Sequence, residues 1–181
     1  MIAMIILANV GKVYDGASAQ ADAVARNVDI HIDRGMIRDI RPHDPQLSVG
    51  SEHHLVDCQN YLVTPGIIDA HNHLTTLGVS GADLDRMNGP AGWLWVEKIL
   101  YTTLVDGGVT TTRDVGGATF AIKQLVEEGV LIGPRLKIAI CMLSTTGGHA
   151  DFRGPDRCHA EISKLWPEQS GRPSSIVDGP W

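Results

Sequence analysis

Thr64-Pro65-Gly66-Ile67-Ile68-Asp69-Ala70-His71-Asn72-His73-Leu74 is the stretch that decides the fold. Side chains along a strand alternate with period two, so a strand here places Asp69, His71 and His73 on one side and Ile68 and Ala70 on the other. Pro65-Gly66 opens the run with a turn, and Ile67-Ile68 reads as buried strand, which puts the histidines at its C-terminal end. Neutral imidazole is a good zinc ligand, and two of them on a rigid strand can share one ion. An isolated His-x-His is more often a pair of polar groups on an exposed strand. The turn, the apolar pair and the aspartate in register favour metal ligation by His71 and His73.

Downstream of Gly66 the pattern alternates between strand and helix, the signature of βα units and a parallel sheet. Ala91 to Val105 reads as a helix with a stripe through Trp95, Ile99 and Thr102, ended by Gly107-Gly108. Trp93 and Trp95 either pack that helix against its neighbours or line a pocket, with packing favoured. Val109 to Val115 is rich in β-branched residues and reads as a second strand. Ala118 to Glu128 is the next helix, closed by Gly129, and Leu136 to Leu143 the third strand.

Residues 1–63 read differently, as short strands separated by turns, and are expected to form a small β-sandwich module. Met4 to Val10 is apolar. In Val28-Asp-Ile-His-Ile-Asp33 the residues Val28, Ile30 and Ile32 share one face, and Arg34-Gly35 turns the chain into Met36 to Ile40 as a hairpin. The opposite face, with Asp29, His31 and Asp33, is expected to be solvated. His53-His54 reads as surface.

Three runs together resemble the amidohydrolase superfamily: Thr64 to Leu74, Gly107-Gly-Val-Thr-Thr-Thr-Arg-Asp-Val-Gly-Gly117, and Gly133-Pro-Arg-Leu continuing to Ser144-Thr-Thr-Gly-Gly-His-Ala-Asp151. They look like its first, second and third barrel strands. The last run is similar to the branch of imidazolonepropionase-like enzymes and of dipeptidases acting on acyl-proline or acyl-arginine bonds. The resemblance implies an α/β fold, a partial (β/α)8 TIM-type barrel of about three βα units over residues 64–181, preceded by the sandwich module over 1–63. In such barrels the C-terminal strand ends carry the chemistry. Here those ends are Asp69 to His73, Arg113 to Gly117, and Ser144 to Asp151.

The activity implied is metal-dependent hydrolysis of a carbon-nitrogen bond in a small amide, dipeptide or cyclic amide. A bound divalent ion, zinc first among candidates, lowers the pKa of its water to about 7. The complete enzyme would hold one or two ions. His71 and His73 would be ligands. Asp69 would orient an imidazole through its other nitrogen, or serve as a buried structural carboxylate. His149, after Gly147-Gly148, would contact substrate. Arg113 and Asp114 are explained by an ion pair or a turn cap. The family's remaining ligands, a carboxylated lysine, further histidines and a catalytic aspartate, have no counterpart in residues 1–181. A closed barrel needs about 250 residues, so the chain is expected to be an N-terminal fragment, inactive in isolation. The competing readings are a non-catalytic amidohydrolase-like scaffold and a simple metal-binding module.

Composition narrows the partners. With 43% hydrophobic and 20% charged residues the chain is that of an ordinary globular protein. A formal charge of −6 offers no basic footprint for nucleic acid or an anionic membrane. No apolar run is long enough to span a bilayer or to serve as a signal core. A cytoplasmic protein is expected, with homo-oligomerisation left open. Cys58, Cys141 and Cys158 suggest neither a disulfide framework nor a Cys-x-x-Cys site.

Overall fold

The computed structural model describes residues 4–17, 25–77, 90–149, 151 and 176–179. The chain divides into two compact units, Met1–Pro65 and Gly66–Trp181. Cys158 lies outside the described residues. Among the described residues, no helix is long and apolar enough to cross a membrane.

Among the described residues the first unit holds six strands: β1 (Ile5–Val10), β2 (Lys12–Val13), β3 (Val28–Asp33), β4 (Met36–Pro42), β5 (His54–Asp57) and β6 (Leu62–Val63). Four of them form a sheet in the order β4-β3-β1-β5, and β2 pairs with β6 in a second. β1 runs antiparallel to β3 and parallel to β5. The expected hairpin is present: Asp33 pairs with Met36, and Arg34 and Gly35 both take positive φ, 49° and 74°. Two consecutive left-handed residues match the twist of the flanking strands. Val10, Val13, Val28, Ile30 and Cys58 form the core of this unit. Burial and the adjacent Asp57 carboxylate push the Cys58 thiol up from its ordinary value.

The other face of β3 is not the solvated one expected from its sequence. Asp29 is 0% exposed and His31 is also buried. The β1 ladder shifts register between Leu7 and Val10, where Asn9 sits at φ 55°, and the freed Asn9 amide donates to Asp29 Oδ1 at 2.8 Å. His43 Nδ1 lies 2.7 Å from the same oxygen, and the Asp44 amide donates to Oδ2 at 3.0 Å. Arg41 donates to His31 Nε2. Residues at and just after the end of β4 therefore close over this face. Burial by itself raises the Asp29 carboxyl, but the two amides and the His43 ring outweigh it and hold the group below the ordinary aspartate value.

The second unit alternates strand and helix: β7 (Ile67–Asn72), α1 (Pro90–Tyr101) running into a π-helical turn (Thr102–Asp106), β8 (Val109–Asp114), α2 (Phe120–Glu127) and β9 (Arg135–Ile138). The strands are all parallel, in the order β7-β8-β9. Leu74, Val96, Leu100, Ile122 and Leu136 make the core. α1 buries Gly92, Val96 and Leu100, a stripe at i, i+4 and i+8 rather than the one through Trp95, Ile99 and Thr102. Trp93 and Trp95 are consequently 41% and 37% exposed. At the α-to-π transition the Thr102 hydroxyl donates back to the carbonyl of Lys98 at 2.9 Å. Thr119 caps α2 by accepting from the Ile122 amide.

Two strand expectations need correction. Ile67 and Ile68 are exposed, Ile68 by 73%, because β7 is an edge strand whose neighbour among the described residues is β8 alone. The third strand stops at Ile138, not at Leu143. Its last ladder rung is the Ala139 amide on the Asp114 carbonyl, and beyond Asp114 strand β8 ends; a further bond, from the Gly117 amide to the Ile140 carbonyl at 3.2 Å, then joins the two following loops. The chain then tightens around Ile140 at φ 66°, with the Cys141 amide donating to the Ala139 carbonyl at 2.7 Å.

Candidate metal centre

The strand carrying the histidines is bulged at the point where they begin. Asp69 pairs with Thr112 and Asn72 with Asp114, so Ala70 and His71 together face the single residue Arg113. An extra residue of this kind kinks a strand and re-aims its side chains. It also breaks the period-two relation between Asp69 and the histidines. The main-chain groups released by the bulge are taken up by side chains: Arg113 Nε donates to the Ala70 carbonyl at 2.8 Å, and the His71 amide donates to Asp69 Oδ1 at 3.0 Å. Asp69 thus bears on His71 through its backbone.

His71 and His73 come together, ring centroids 5.6 Å apart and planes at 73°. His73 is half-buried and its Nδ1 lies 3.1 Å from the Gly116 carbonyl. A carbonyl only accepts, so Nδ1 carries a proton, which in the neutral ring leaves the lone pair on Nε2, the tautomer a metal-ligating imidazole needs. His71 is exposed. The residues fit a divalent cation as half of a cage. Among the described residues, no third histidine, cysteine, aspartate or glutamate joins them as a ligand cluster.

Asp114 organises the ground beneath the pair. It is 0% exposed; its Oδ1 accepts from the amides of Gly116 and Ala118 at 3.0 and 2.9 Å, and its Oδ2 from the amide of Leu74 at 2.8 Å. One carboxylate therefore ties the segment leaving the histidines to the loop whose Gly116 carbonyl holds the His73 ring. The sequence offers Asp114, with Arg113, as an ion pair or a turn cap. It does not reveal that the cap spans two strand ends, nor that Arg113 reaches across to β7 rather than pairing with an acid.

His149 is exposed in the loop after β9. That loop is closed by the Gly147 amide on Asp151 Oδ2 and the Gly148 amide on the Thr145 carbonyl. Ser144 bridges in parallel to Ile176, and the Thr146 amide donates to Asp178 Oδ1 at 2.7 Å. Among the described residues, no hydrogen bond or ring contact links His149 to the histidine pair.

Residues 62–173 match the model of the amidohydrolase family. No curated protein matches the chain. Among solved structures it is similar to a prolidase complexed with N-methylphosphonate-L-proline, at 27% identity and a TM-score of 0.72, over 98% of this chain and 41% of that one. An amidohydrolase aligns at 28% identity with a TM-score of 0.68, again over 98% and 41%. A Xaa-Pro dipeptidase with bound methionine shares the fold at 23% identity and a TM-score of 0.68, over 98% and 41%. The chain spans about two fifths of the length of these structures. With its family-model match covering more than half its residues, the chain belongs to the amidohydrolase family.

Proposed function

We propose that this chain contributes the first two metal ligands, His71 and His73, to a divalent-metal hydrolase of carbon-nitrogen bonds, with a dipeptide or related small amide as substrate. The reading rests on one observation above the others: two imidazoles side by side at the end of a parallel strand, one with its Nδ1 engaged by the Gly116 carbonyl and its Nε2 free. The parallel sheet β7-β8-β9 corresponds in this reading to the opening of a (β/α)8 barrel, and the first unit to a sandwich module. The prolidase and dipeptidase among its structural neighbours support the substrate class.

The ion, zinc by ligand chemistry, would supply an activated water and polarise the scissile carbonyl. The chain's own residues do the positioning: Gly116 fixes the His73 tautomer, Asp114 fixes Gly116, and His149 stands on a glycine loop able to donate to a substrate oxygen. Catalytic zinc takes three protein ligands plus water; with these two ligands among the described residues, the proposal is that the isolated chain binds metal without hydrolysing substrate. The cytoplasm is the proposed compartment.

Calorimetric titration of the purified chain with Zn²⁺ tests the site. One equivalent should bind, and His71→Ala and His73→Ala should each weaken it at least tenfold. Unchanged binding in both variants would remove these histidines from the site and the proposal with them.

A further inference from the structure

The bulge in β7 suggests how the pair of histidines is aimed. A parallel ladder satisfies each strand's amides and carbonyls in turn, and an inserted residue leaves one of each without a rung. Here the carbonyl left over is that of Ala70 and the amide is that of His71. Both are met by side chains: Arg113 Nε donates to the carbonyl and Asp69 Oδ1 accepts from the amide. The two side chains that do this flank the insertion, one from each strand.

We propose that Arg113 and Asp69 are positioning residues, a clamp that pins the extra residue at Ala70-His71 and so decides which way the His71 ring faces. This rests on the metal-site reading above. The alternative positions of a bulge are close in energy, because moving it one residue along exchanges one irregular rung for another. The consequence for the side chains is not small. Side-chain direction alternates at every residue, so a bulge displaced to His71-Asn72 sends the His71 side chain to the opposite face of the sheet. His73 would stay, since its ring is anchored on Gly116 and the following Leu74 amide on Asp114. The pair would be split with little loss of packing, because β7 is an edge strand and the core is built from Leu74, Val96, Leu100, Ile122 and Leu136.

Arg113 is suited to the task by its placement. Arg113 pairs with Lys137 and Thr111 with Arg135 across β8 and β9, and Arg135 Nε donates to Thr111 Oγ1 at 3.2 Å, so these residues share one face. The intervening Thr112, Asp114 and Leu136 are buried. From that open face the guanidinium reaches sideways to the neighbouring strand. A planar donor on a long stem can do this where a lysine would sacrifice direction.

The test uses the full chain labelled with ¹⁵N-histidine, in which eight histidines are assigned by single His→Gln variants. In Arg113→Met and in Asp69→Ala, the His71 amide and ring resonances should shift or broaden while those of His73 stay within linewidth. Zn²⁺ affinity should fall about 10- to 100-fold, the range for lost orienting partners. Arg113→Gln, which keeps an N–H donor without the charge, should recover part of that affinity. Unchanged His71 resonances in both variants would overturn the clamp. So would equal displacement of His71 and His73, which would mark Arg113 as a general structural residue. If the unsubstituted chain binds no Zn²⁺, the metal reading fails, and the metal-free His71 resonances still decide the clamp.

Discussion

Replacing Asp114 should reveal how much of the second unit depends on one carboxylate. Asp114→Ala leaves the amides of Leu74, Gly116 and Ala118 without their acceptor in a site closed to water. A stranded buried donor costs about 1–3 kcal/mol, and the three share one environment, so a total of about 3–6 kcal/mol is expected rather than a simple sum. Against a domain stability of about 5–15 kcal/mol, that is enough to bring the unit close to unfolding. Asp114→Asn discriminates the mechanism. Its carbonyl oxygen can keep the Gly116 and Ala118 amides, while its NH₂ meets the Leu74 amide donor to donor, for a loss of about 1–3 kcal/mol. All four tryptophans of the sequence fall at residue 93 or later, so urea denaturation followed by tryptophan fluorescence reports on the second unit and not the first. The midpoint should fall in the order wild type, Asn, Ala. A loss below about 1 kcal/mol in Asp114→Ala, or an Asn variant weaker than the Ala variant, would refute the assignment of these three bonds.

Acid should act on the other unit. The folded Asp29 carboxyl lies below its unfolded value, which is about 3.9, so its contribution is complete above about pH 4 and is lost as pH falls through the folded value. Circular dichroism below pH 4 should show a steeper loss of β-structure in wild type than in Asp29→Asn; parallel curves would contradict the shift. Gly66→Ala should destabilise the entry to β7 by about 1–3 kcal/mol, since a Cβ there would collide with the Thr110 side chain, and Thr110→Gly added to it should recover most of the loss in the fluorescence assay. Thr119→Ala should cost about 1 kcal/mol through the lost cap on α2; an unchanged urea midpoint would show the cap to be idle.

Much of this was legible in the residues, and the gaps have physical causes. Glycine pairs and β-branched runs located β8, α2 and the hairpin closely, because those signals are local. The burial of Asp29 and His31 was not visible, since Arg41, His43 and Asp44 cover that face and periodicity within β3 knows nothing of them. The third strand stops short of its apolar run for a similar reason: Ile138 to Leu143 is apolar throughout, but a ladder ends where its partner strand ends. At the candidate site, the spacing of His71 and His73 announced the pair. The bulge beside it exists only relative to the register of β8, so a period-two reading placed Asp69 in line with rings it meets through the main chain.

The position of β1 between an antiparallel and a parallel neighbour sets an order of events at the ribosome. At about 5–20 residues per second, β1, β3 and β4 can emerge and pair before His54–Asp57 has left the exit tunnel. Until then one side of β1 is a row of unsatisfied peptide groups awaiting a strand still inside the tunnel. A chaperone or an intruding neighbour would find its opening there, so the pace of elongation while residues 43–57 pass along the tunnel should bear on yield.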